Sequence, residues 1–161
     1  MALRMLAAAL VAIEPAAAMA PAVHRVYNLT VPRGAMCAAA LGPDCVAFAG
    51  GGVAGMPKGT PPSDDIEIFN VTESNRGGEP WLLLGSEFKL PHIRGGDSTS
   101  GGWLPSVGVA FFGSGGGDSG SVDLLRAADM EWLPSLKTTL IHEFTACAGT
   151  GKTIACAGGQ G

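Results

Sequence analysis

Charge is scarce in this chain. Only 15% of its 161 residues are Asp, Glu, Lys or Arg, against about 25% in ordinary globular domains. The ten lysines and arginines are scattered and the net charge is −4. Without a basic cluster, nucleic acid and anionic membrane surfaces are poor partners. Histidine is scarcer still. His24, His92 and His142 lie far apart and no Cys-x-x-Cys pair exists, which removes the usual zinc patterns. Asp64, Asp65 and Glu67 lack the spacing of a calcium loop. No metal or cofactor is therefore expected. Long apolar runs are missing too. Met5 to Ile13 gives only nine such residues, too few to span a bilayer.

Glycine is what the chain has in excess. It supplies 25 residues, about twice its usual ~7% share. Much of it sits in a repeated pattern. A short apolar run ends in a glycine cluster three times: Val46-Ala47-Phe48-Ala49-Gly50-Gly51, Val109-Ala110-Phe111-Phe112-Gly113-Ser114-Gly115-Gly116, and Ile154-Ala155-Cys156-Ala157-Gly158-Gly159. Ala49 and Ala157 lie 108 positions apart, two periods of about 54, the length of one copied supersecondary unit.

The rest of each copy has one order. Asp65 to Val71 alternates, with Ile66 and Ile68 on one face and Glu67 and Phe69 on the other, which predicts a half-buried strand. A polar loop over residues 72–79 follows, and then Trp81 opens another apolar run. In the second copy, Ser121 to Leu125 takes the place of the alternating strand and Trp132 that of Trp81. Residues 35–40 and 144–148 read as strands preceding a glycine run. Each unit thus comprises four short antiparallel strands joined by Gly- and Pro-rich turns.

These marks resemble the kelch-repeat family over residues 27–161. Arg33 and Arg94, each shortly after a proline, sit where that family has an arginine between repeats. The resemblance implies an all-β fold of tandem four-stranded antiparallel blades forming part of a β-propeller. A generic Gly-rich β-sandwich is the alternative. The chain departs from the family in three ways. Phe69 and Leu125 stand at the tyrosine-like position, Ser114 interrupts the second glycine cluster, and residues 95–108 give no clean first strand. Trp103-Leu104-Pro105-Ser106 also echoes Trp132-Leu133-Pro134-Ser135, which leaves the middle register open.

A propeller closes with about 4–8 blades. At about 50 residues per blade this chain holds two and fragments of others. It is expected to be part of a larger propeller, a partner in an oligomeric one, or a truncated product. Its end faces are expected to expose large apolar side chains.

The resemblance also implies a non-catalytic scaffold that binds a protein partner through its inter-strand loops. Candidate binding residues on those loops are Lys58, Asp64, His92, Arg94, Asp97 and Asp118. Arg94 has a second reading, as a donor to backbone carbonyls between blades. The alternatives are a fragment of a propeller enzyme, or a secreted structural or surface protein completed by other blades, including those of a homo-oligomer. The copper radical chemistry of some kelch-like oxidases needs tyrosine ligands, and Tyr27 is the only tyrosine.

Two catalytic patterns are rejected. Ala146 to Thr153 fits the loose form of a phosphate-binding loop, but that loop needs a helix behind it. Here an apolar strand follows. Gly117-Asp118-Ser119-Gly120 resembles a serine-protease nucleophile segment without a histidine in that family's context.

Residues 1–20 have the three regions of a secretory signal peptide, with a disordered leader as the alternative. Secretion is the favoured localisation and cytoplasm the other. Asn28-Leu29-Thr30 and Asn70-Val71-Thr72 fit the glycosylation pattern. Cys37, Cys45, Cys147 and Cys156 fall on two expected hairpins. With residues 149–152 as the second turn, Cys147 faces Ile154, so buried thiols are expected rather than disulfides.

Overall fold

The computed structural model describes residues 27–53, 62–82, 84–95, 100–113, 116–117, 120–137 and 143–160. The strands are β1 (Arg33–Gly34), β2 (Cys37–Leu41), β3 (Cys45–Ala49), β4 (Gly52–Val53), β5 (Ser63–Asn70), β6 (Trp81–Leu82), β7 (Lys89–Gly95), β8 (Ser100–Leu104), β9 (Val109–Gly113), β10 (Gly116–Gly117), β11 (Ser121–Arg126), β12 (Glu131–Lys137), β13 (Glu143–Thr150) and β14 (Thr153–Gln160), with one helix, α1 (Val71–Arg76). The protein is all-β, and every pairing among the described strands is antiparallel.

Two four-stranded meanders carry the architecture. One runs β2-β3-β5-β6 and the other β8-β9-β11-β12. Their registers match. Leu41 faces Cys45 as Leu104 faces Val109. Phe69 lies between Val46 and Trp81, and Leu125 between Ala110 and Trp132. The two tryptophans thus occupy one position in two copies. The register also fixes the middle of the chain. Residues 100–104 are a first strand and residues 131–137 a fourth, so the Trp-Leu-Pro-Ser echo joins strands of different rank.

The sheets stack through their apolar faces. Ala39, Ala47, Ala49 and Ile68 of the first meet Ala110, Phe112 and Leu125 of the second in one core. The opposite face of the second sheet, with Leu104, Phe111 and Val122, meets Cys147 and Ile154 of the β13–β14 hairpin. The first strands lie side by side, β2 against β8 and β8 against β13. Small residues on one sheet admit large ones from the next, as close packing requires.

Strand β7 joins the two units, pairing with the start of β5 on one side and with β10 on the other, and β1 pairs with β4 beside the first sheet. The first glycine pair belongs to this joint. Gly50 and Gly51 have φ of +70° and +89°, and a Cβ on Gly50 would lie 2.8 Å from the Arg94 backbone oxygen. The Gly51 N–H donates to that same oxygen at 2.9 Å. Only glycine meets both demands.

Three expectations need correction. Part of the polar loop after Asn70 is helix α1. The Asn70 side chain accepts from the Glu73 N–H at the N-terminus, and Gly77 caps the other end with φ of 83°, the arrangement that satisfies orphan groups at helix ends. The second hairpin turns on Gly151 and Lys152 alone, so Gly149 faces Ile154 and Cys147 faces Cys156. Those two cysteines form a disulfide, while Cys37 and Cys45 are free. Among the side chains described there, the hairpin's outward face is small rather than large and apolar: it carries Ala146, Ala148, Ala155 and Ala157, all exposed. The proposed leader, residues 1–20, lies outside the described residues.

Candidate functional site

Arg94 stands at the meeting point of three loop stems. Ser63 pairs with Arg94 on one side of β7, while Gly116 and Gly117 pair with Gly95 and Arg94 on the other. The strand ends that bound residues 54–61, 96–99 and 118–119 therefore lie beside one another. Three expected binding residues, Lys58, Asp97 and Asp118, belong to those segments and lie outside the described residues.

The Arg94 side chain is directed inward. It is fully buried, and its Nη2 and Nε donate to Asp123 Oδ2 at 2.9 and 3.2 Å. Nη2 also donates to Ser121 Oγ at 3.1 Å. On the other carboxylate oxygen, Ser135 Oγ donates at 2.7 Å and His92 Nδ1 lies 2.5 Å away. An ionised carboxylate only accepts, so Nδ1 carries the hydrogen there. Asp123 is itself 0% exposed. Each of its oxygens is thus engaged by two groups, as a buried charge requires. His92 reaches the surface in part, with 23% of its side chain exposed.

The same strut occurs one repeat earlier. Arg33 donates to Glu67 Oε1 at 2.5 Å, and to the carbonyls of Gly50 and Asp65 at 3.2 and 3.1 Å. Glu67 and Asp123 each sit two residues before the Phe69 and Leu125 positions matched above. The repetition marks the Arg94–Asp123 pair as an element of the joint between units. Arg94 therefore serves the framework and not an exposed binding surface, and it donates to the Asp123 carboxylate and the Ser121 hydroxyl where Arg33 reaches a carboxylate and two backbone carbonyls. Sequence spacing pairs neither acid with its arginine. The signal for them is an acid two positions before an aromatic or leucine on each third strand.

Asp64 and Lys89 form a neighbouring, half-exposed ion pair at 3.6 Å. Lys89 also bonds Asp65, which holds Asp65 below the usual carboxylate range, with Ser63 assisting. For Glu67, burial opposes ionisation, yet the Thr30 N–H and hydroxyl, at 2.8 and 2.9 Å, and Arg33 outweigh it and lower its pKa. Depressed carboxylates stabilise the fold above their unfolded values, about 3.9–4.3, and lose that contribution as pH falls through the lower folded values. The urea midpoint is therefore expected to drop between about pH 5 and pH 3. Glu67→Gln should flatten that drop more than Asp65→Asn, because Asp65 is 39% exposed and Glu67 only 12%. Equal slopes in all three proteins would remove the Glu67 assignment.

A separate apolar cleft of about 380 Å³ opens on the first sheet, lined by Tyr27, Leu29, Met36, Phe48, Phe69 and Trp81. Its rings meet edge to face, Phe48 to Trp81 at 6.3 Å and Tyr27 to Phe69 at 5.1 Å, the favoured aromatic geometry. On the second sheet the corresponding place is filled. Phe112 meets Trp132 at 5.9 Å, and Phe88 stacks on Trp132 at 5.7 Å. Trp132 Nε1 is buried without a hydrogen-bond partner. Among the described residues no group of His, Cys, Asp or Glu is placed to hold a metal, and no helix is long and apolar enough to cross a membrane. No protein-family model and no curated protein matches the chain.

Proposed function

We propose that the chain is part of a kelch-type β-propeller and serves as a non-catalytic scaffold that binds a protein partner through its inter-strand loops. One observation carries this reading. Two meanders with matched registers repeat the same tryptophan and the same buried Arg–acid strut, and they bring three loop stems together at Arg94. Rigid sheets that gather loops at one end are the usual setting for recognition. The buried pair has its hydrogen-bonding capacity used within the framework, so the loops are left to supply specificity. Lys58, Asp64, Asp97 and Asp118 are the proposed contacts, with His92 at the margin.

The hairpin disulfide favours the secreted form of this reading, since such bonds persist in oxidising compartments. Peptides selected on the full chain from a random display library provide the test. Lys58→Glu, Asp64→Lys and Asp97→Lys should weaken the selected peptides by about ten-fold or more, equivalent to about 1.4 kcal/mol, with the melting curve unchanged. Peptides that bind all three variants as tightly as the parent would move the binding surface away from the loops.

A further inference from the structure

We propose that the apolar cleft on the first sheet receives the exposed alanine face of the β13–β14 hairpin from a second copy of this chain. The proposal rests on the repeat reading above, but not on what the loops bind.

The internal contact between the two meanders supplies the template. There, the second sheet offers Phe112, Leu125 and Trp132, and Phe88 and Leu90 reach over from the segment before β8. The first sheet supplies the complementary small face: Cys37, Ala39, Ala47 and Ala49, all 3% exposed or less. The cleft repeats the large half of that contact. Phe48, Phe69 and Trp81 hold the positions of Phe112, Leu125 and Trp132. Tyr27 and Leu29 precede Arg33 by the same intervals at which Phe88 and Leu90 precede Arg94. Leu90 is 4% exposed, whereas Leu29 stays half-buried. Only the small face is lacking.

That small face exists at the other end of the molecule. By register, Ala146, Ala148, Ala155 and Ala157 stand where Cys37, Ala39, Ala47 and Ala49 stand in the first hairpin. All four are exposed, while their counterparts are buried. The two ends thus carry the two halves of an interface that the molecule already makes once inside itself. Such a contact is head-to-tail, so it must close into a ring or run on. Two copies bring about six sheet layers to one ring, within the roughly 4–8 of closed propellers.

The test uses the full chain and two exposed sites. Ala155→Arg places a charge on the hairpin face. Ala38→Arg places one at the cleft side of β2, where the internal contact uses Gly101, whose added Cβ would lie 2.5 Å from the Ala38 carbonyl oxygen. Sedimentation equilibrium of the parent at about 1–100 µM should report a dimer. Each variant should be monomeric over that range, with a dissociation constant raised about a hundred-fold or more, or about 2.7 kcal/mol. Both should keep the parent's circular dichroism and cooperative melt at low concentration. Mixed together, they should form a 1:1 pair, because each retains the half the other has lost. Ala148→Glu replaces Ala155→Arg if the latter does not fold.

A monomeric parent overturns the proposal. So does a dimer indifferent to both charges, or one in which the mixed variants do not pair. Occupation of the cleft by residues 1–26 of the same chain would give a monomeric parent destabilised by Ala38→Arg. Loop variants that lose peptide binding but keep the dimer would separate this contact from the loop-binding reading.

Discussion

Replacing Asp123 by alanine is expected to cost about 3–5 kcal/mol, the loss seen when one partner of a buried ion pair is removed. The reason is what remains. Arg94 stays fully buried with its charge, and the donors of Ser135 and His92 lose their common acceptor. Small domains have only about 5–15 kcal/mol in total, so the urea midpoint should fall by a large fraction. Glu67→Ala should cost distinctly less. Arg33 keeps its carbonyl acceptors on Gly50 and Asp65, and Glu67 is partly open to water. The double change Arg94→Met with Asp123→Leu should recover much of the loss, because no uncompensated charge is then buried. Equal effects of the two single changes would mean that the two struts are not ranked by burial.

Much of this framework is legible in the chain itself. Alternation over residues 65–70 locates β5, since a strand half-covered by another sheet must alternate. The first glycine cluster marks the end of β3, because the chain there crosses close to the backbone of β7. The spacing of Trp81 and Trp132 from those clusters differs, yet both reach the same register. Arg33 and Arg94 stand out as a pair in the sequence, but their acids do not. Each acid lies on a strand distant in sequence, and only sheet pairing brings it to its arginine. Helix α1 is concealed by its polar composition. Its signal is the Asn70–Glu73 spacing of a helix N-terminus. The hairpin turn is obscured by ambiguity, because Gly149 and Gly151 both suit a turn and a two-residue slip changes which residue faces Cys147. The cleft is least legible of all. It depends on which face of the first sheet has no neighbour among the described residues, and that is a matter of stacking order.

Stacking order also sets the contrast expected between Phe112→Ala and Phe48→Ala. The two rings hold one register position in successive sheets, and each meets its tryptophan edge to face. Phe112 is 0% exposed in the core between the meanders. Its removal leaves a cavity that the surrounding sheets cannot close, at about 3–5 kcal/mol. Phe48 lines the open cleft and is half-buried. Water can enter the space it leaves, so its removal should cost only about 1–2 kcal/mol, a fraction of the full burial value. Chemical denaturation followed by tryptophan fluorescence at about 0.01 µM, below the range in which the parent is expected to dimerise, reads the intrinsic difference. Raising the concentration should then stabilise the parent and Phe112→Ala, but barely affect Phe48→Ala, because the last has lost part of the surface that a second copy covers. If Phe48→Ala costs as much as Phe112→Ala at every concentration, the first sheet's cleft is already filled within the single chain.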